Sequence, residues 1–141
     1  MNIDVEEAKA ELERMTRELV DAVNRRDFNE ASVWRHVPQF FRRGDHNGSI
    51  YGRYRDNAAW GMSFPGLVKD FCAEHPDFRV TIRSINTEIF SRIGYGEVFV
   101  NADLSGWQPG VVQSTVTRLE YRIVDRRWRL IRHEVLTGSG E

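Results

Sequence analysis

The stretch from Val111 to Leu136 constrains the fold more than any other part of the chain. Two runs rich in β-branched and aromatic residues meet at Asp125-Arg126, the pattern of two antiparallel strands joined by a tight turn. A two-residue turn fixes the register. Ile123 then stands opposite Trp128, Tyr121 opposite Leu130, Leu119 opposite Arg132, Thr117 opposite Glu134 and Thr115 opposite Leu136. Those pairs share one face, apolar near the turn and polar farther along, where Arg132, Glu134, Thr117, Thr115 and Gln113 gather. The other face carries Arg122, Arg129, Glu120, Ile131, Arg118, His133, Val116 and Val135, and is charged near the turn, as a solvated or subunit-contacting face would be.

A core-side face that changes from apolar groups to hydroxyls, an amide and an Arg/Glu pair has the make-up of a pocket wall. An ionised group taken out of water needs a partner, water or a ligand. The plainer reading is that Arg132 and Glu134 pair with each other or with helix residues. A one-residue slip in the turn exchanges the faces and puts His133 inside instead.

Upstream, Val5, Ala8, Leu12, Met15, Leu19 and Ala22/Val23 recur at spacings of three and four, one apolar stripe on a long helix. Asp4 with Glu7 forms a capping-box-like start, and Asn24-Arg25-Arg26 ends the helix. Asp27 can cap a second helix with Phe28, Ala31 and Val33 or Trp34 facing inward, closing at Arg35-His36 before Val37-Pro38. Cations there complement the helix dipole, or one of them stands at a pocket mouth. Gln39 to Arg43 reads as a short strand or edge, and Gly44 to Gly48 as a loop. A third helix opens at Asp56 or Asn57, is interrupted across Gly61 to Gly66, and resumes through Leu67, Val68, Phe71 and Cys72. The aromatic segment from Tyr51 to Phe64 can roof a cavity.

From Phe78 the pattern is β. Arg79 to Phe90 reads as a strand with a bulge near Ser84-Ile85, Ser91 to Gly94 as a turn, and Tyr95 to Leu104 as the next strand. Val98, Val100, Ala102 and Leu104 fall on one face of it. With Leu104 opposite Val111, that face continues onto Gln113, Thr115 and Thr117. Helical segments first and a four-stranded antiparallel meander after them make the class α+β.

At 141 residues, 40% hydrophobic and 29% charged, the chain fits a single domain, 1–141, with a sizeable core. A net charge of −1 with no basic block argues against a sequence-independent nucleic-acid surface. The basic residues are nearly all Arg, which high genomic GC content explains most simply. One cysteine, Cys72, forms no intrachain disulfide and has no basic or His neighbour in sequence, so it reads as a small core residue. With no signal-like apolar start and no run of membrane-spanning length, the expected setting is cytoplasmic, without a membrane partner. His46 lies in the Asp-His-Asn-Gly loop, but no His or Cys cluster at ligand spacing supports a metal.

The long helix running into Asp27, the His75-Pro76-Asp77-Phe78 entry to the first long strand, and the final Asp125…Trp128-Arg129-Leu130 hairpin together resemble the NTF2-like superfamily, in particular its SnoaL-like branch of polyketide cyclases and isomerases. The resemblance covers nearly the whole chain in pattern. It implies a cone: three N-terminal helical segments packed on a curved antiparallel sheet around a cavity. In many members the outer sheet face forms a homodimer. The superfamily spans cyclases, isomerases, dehydratases and non-catalytic modules, and this chain carries no clear version of any one member's catalytic set.

The expected activity is therefore cofactor-independent cyclisation or isomerisation of a small hydrophobic, secondary-metabolite-like substrate by acid/base catalysis. The alternative is a non-catalytic small-molecule-binding or dimeric association module. Glu134 is the first candidate acid or base, with Arg132 or Arg35 poising it or steadying an oxyanion. His36 is the alternative base, and His133 replaces Glu134 if the register slips. Tyr51, Trp60, Phe64, Gln113, Thr115, Thr117 and Tyr121 are the candidate substrate-binding residues.

Overall fold

Asp4 starts the first helix: its carboxylate accepts the Glu7 amide proton at 3.1 Å, satisfying one of the donors that a helix start leaves open. The computed structural model of the chain describes residues 2–29, 32 and 64–138, with backbone alone for 64–67 and 135–138. Helix α1 spans Val5–Arg25 and buries Ala8, Leu12, Met15, Leu19, Ala22 and Val23, the stripe read from the sequence. Thr16 is buried with them, while Val5 is 38% exposed in the first turn. Among the described residues no helix is long and apolar enough to cross a membrane.

Helix α2 spans Phe64–Glu74. It begins inside the expected interruption, because Pro65 falls in the first turn, where a missing amide proton costs nothing. Asp27 accepts the Asn29 amide proton at 3.1 Å and the Ser32 hydroxyl proton at 2.8 Å, while most of the helix expected after it and the first half of the third helix lie outside the described residues. Strands β1 (Arg79–Phe90), β2 (Tyr95–Ser105), β3 (Gln113–Val124) and β4 (Arg127–Gly138) follow as an antiparallel sheet in the order β1-β2-β3-β4. The molecule is thus α+β, a long N-terminal helix packed on an open four-stranded meander. Strand β2 alternates strictly, with Val98, Val100, Ala102 and Leu104 buried against the helices. Phe71, Phe78 and Cys72 close the core beneath α2, and burial pushes the Cys72 thiol up.

The end of α1 is tied to the start of β1. Arg26 takes the left-handed conformation (φ 62°), and its guanidinium donates to the Pro76 and Phe78 carbonyls at 2.8 Å each. The Asn24 carboxamide donates to the Val80 carbonyl at 2.8 Å and accepts the Val80 amide proton at 2.9 Å. It thereby satisfies the outward backbone groups of an edge strand, as a neighbouring strand would. Asn24→Ala leaves both groups unpaired in a part-buried setting. The expected cost is about 1–3 kcal/mol, read as a lower urea midpoint with unchanged slope.

Two registers differ from the sequence expectation. Leu104 stands opposite Gln113 rather than Val111, a shift of two that leaves the facing residues on the same side. Val111 and Val112, freed from the sheet, are 41% and 64% exposed. The final hairpin begins as expected: Asp125 and Arg126 both have positive φ (53° and 66°), Ile123 faces Trp128, and Tyr121 faces Leu130. The next pair is then Glu120 with Arg132, so Ile131 is an extra residue. Beyond this bulge Leu119 faces His133 and Arg118 faces Glu134. A second irregularity separates Thr117–Val135 from Val116–Thr137.

Candidate functional site

An apolar cavity of about 60 Å³ lies between α1 and the helix-facing side of the sheet. Leu19, Val20 and Val23 of α1, Val68 of α2 and Val100, Ala102, Leu119 and Leu130 of the sheet supply most of its wall. Into this wall four polar side chains are set: Thr16, Thr115, Thr117 and His133. His133 is 7% exposed and is the one ionisable group in the wall among the described residues. Such a cavity is large enough for a water, which needs roughly 10–15 Å³, and smaller than the ~150 Å³ that accommodates a benzene ring.

The bulge at Ile131 decides which residues reach this wall. The sequence expectation that Glu134 and Arg132 face the cavity is corrected: both lie on the outer face. There Arg132 is 3.2 Å from Glu120, and Glu134 pairs with the guanidinium of Arg118, which also lies 3.7 Å from Glu97. The physical reason is desolvation. Turning the strand by one residue keeps a carboxylate and a guanidinium in water-accessible pairs and sends inward an imidazole, which is stable without charge. The alternative anticipated for a slipped register, His133 inside, is therefore the one realised, through a bulge and not through the turn.

The other candidates divide. Thr115 and Thr117 line the cavity, opposite Ala102 and Val100. The Thr115 hydroxyl donates to the Ala102 carbonyl at 3.3 Å. Tyr121 is fully buried, and its hydroxyl shares a 2.8 Å hydrogen bond with that of Thr16, 105 residues away. Burial pushes the Tyr121 phenol far above its ordinary value, so it stays neutral. Tyr121 holds Thr16 in place and does not itself line the cavity. Gln113, partly buried opposite Leu104, lies outside the wall. Arg35, His36, Tyr51 and Trp60 lie outside the described residues. Phe64 begins α2, and its side chain also lies outside the description.

Thr16 is the wall residue that sequence reading missed, because a threonine inside an apolar helical stripe reads as an incidental polar residue. Its partnership with Tyr121 gives a test. Thr16→Val leaves a fully buried phenol unbonded, with an expected cost of about 1–3 kcal/mol. Tyr121→Phe added to it recovers part of that loss, seen as coupling in a thermal-denaturation double-mutant cycle.

The outer face of the sheet is polar. Glu97 and Glu120 stand directly opposite each other, each beside an arginine of a neighbouring strand position, and the Tyr95 hydroxyl donates to Glu120. Burial, and secondarily the Glu120 carboxylate, hold the Tyr95 phenol well above its ordinary value. Among the described residues no group of three His, Cys, Asp or Glu is arranged to hold a metal ion. Comparison with protein-family models gave no match, and neither did comparison with curated proteins.

Proposed function

We propose that this chain is an NTF2-like, cone-type domain of the SnoaL-like kind, acting without a cofactor as a cyclase or isomerase on a small hydrophobic molecule, with His133 as the group that moves the proton. The observation that carries this reading is the His133 imidazole, set in an apolar wall beside the Thr16, Thr115 and Thr117 hydroxyls. An imidazole takes and returns a proton near neutral pH, which is the requirement of a cofactor-free isomerisation or ring closure. The apolar wall receives one apolar end of that molecule. A hydroxyl such as that of Thr117 donates a hydrogen bond to an oxygen on which negative charge develops. The α+β layout, a long helix laid on a meander, is compatible with a cone, and in this reading the ion-paired outer face of β2 to β4 serves a homodimer.

Native mass spectrometry of the purified protein, gentle and then denaturing, tests the proposal. The expected result is an apolar small molecule that stays bound in the first condition and is released in the second. A bound molecule that the protein never converts would favour a carrier on the same fold. A protein that takes up neither co-purified nor added apolar compounds would refute both.

A further inference from the structure

Both hairpin tips lie at one end of the sheet. The Ser91–Ile93 turn joins β1 to β2, Asp125-Arg126 joins β3 to β4, and the Ile123 amide donates to the Gly94 carbonyl at 2.9 Å between them. These tips and the strand ends beside them carry Arg92, Arg122, Arg126, Arg127 and Arg129 against one acid, Asp125, in a chain whose net charge is −1. Arg92, Arg122, Arg126 and Arg127 are exposed, and none of the four has a carboxylate within ion-pair distance among the described residues. The arginines of α1 behave differently: Arg14, Arg17 and Arg25 each pair with an acid one turn away. Arg122 lies over the Tyr95 ring, 5.2 Å from its centre. Beside these cations protrude Ile93, 64% exposed, Val124, 39%, and Phe90, 38%.

We infer that this end of the sheet docks on an anionic lipid bilayer, the arginines meeting headgroup phosphates and carboxylates while Ile93, Val124 and Phe90 enter the interface. Uncompensated guanidiniums are suited to multidentate contact with phosphate. Exposed apolar side chains at the apex of turns are costly in water and are relieved by shallow insertion. Asp4, Glu7 and Glu11 line a cleft together with Arg126 and Arg127 and temper their charge, so Arg92 and Arg122 supply the least opposed cations of this end. The lack of a spanning helix concerns crossing a membrane and does not bear on lying against one. This inference is independent of the cavity.

The test is sedimentation of the full chain with phosphatidylcholine vesicles, with and without phosphatidylserine, at low and high salt. Binding is expected only with phosphatidylserine and is expected to fade at high salt, where screening shortens the reach of each charge. Each basic residue at such a surface contributes roughly a factor of five in affinity. Arg92→Glu combined with Arg122→Glu should therefore weaken binding by at least about 25-fold, and Ile93→Ser should weaken it without altering the salt dependence. Unchanged far-ultraviolet circular dichroism and melting temperature establish that each variant is folded. Absence of binding to phosphatidylserine vesicles, or binding indifferent to all three substitutions, overturns the inference. So does loss of self-association in the tip variants, which would make the end of the sheet a contact between copies.

Discussion

His133→Gln is expected to lower turnover by about 10²–10⁴-fold while leaving ligand binding and fold in place. Glutamine roughly preserves side-chain size and hydrogen-bonding capacity but cannot carry a proton between substrate positions. The loss should fall on kcat with little change in KM, since the interaction removed is made in the transition state. Glu134→Gln supplies the contrast. It removes a carboxylate from an outer-face pair with Arg118 whose side chains are 37% and 28% exposed, and solvent screening limits such a pair to about 0–1 kcal/mol. Turnover should be unaffected. The opposite outcome, an inert Glu134→Gln and an unimpaired His133→Gln, would restore the register without a bulge. The pH dependence of kcat separates a proton-moving group from a packing one: the variant should lose a titrating limb, not merely shift in height.

Gly106→Ala should be the most destabilising single-methyl change in the described fold. A Cβ at this position would lie 1.8 Å from the Asp77 carbonyl oxygen and 2.8 Å from the Phe78 amide nitrogen, both backbone atoms with nowhere to move. The residue also has φ +80°, a conformation that side chains disfavour. A cost of about 3 kcal/mol or more is expected, in the range reserved for core disruption and backbone strain. Gly110→Ala is the internal control. It shares a positive φ, +72°, but its Cβ would meet nothing within 4 Å, so only the roughly 1–2 kcal/mol of conformational strain applies. Urea titrations of the two variants should differ clearly in midpoint. Equal midpoints would mean that the approach of the β2–β3 connection to the α2–β1 junction is looser than described.

Much of this architecture can be read from local pattern. The α1 stripe and its Asp4 cap are visible as spacing and residue type. The limits of β1 and β2 follow from period-two alternation between turn residues, and the place of the final turn from Asp125-Arg126 between two β-rich runs, although an arginine at φ 66° is not announced by its residue type. What escapes local pattern is the bulge at Ile131. No glycine or proline marks it, and the apolar residues on the turn side of it agree with either register. A signal does exist across the strands: Arg118 and Glu120 present opposite charges on the outer face, and Arg132 and Glu134 match them in sign and spacing only if one residue between Leu130 and Arg132 is looped out. Cross-strand charge pairing would have chosen the bulged register over the regular one. The Thr16–Tyr121 bond was illegible for a different reason: two polar residues in separate apolar runs announce no partnership until the helix is laid on the sheet. The start of α2 falls inside the Gly61–Gly66 run because a helix accepts proline in its first turn.

The apolar cavity between α1 and the sheet has His133 in its wall. Crystals of the protein pressurised with xenon test it most directly, because xenon binds small apolar cavities without needing a specific polar partner. One strong xenon site is expected, bounded by Val20, Val100, Leu130 and His133. No site there, with Glu134 turned inward or the space filled by side chains, would contradict it.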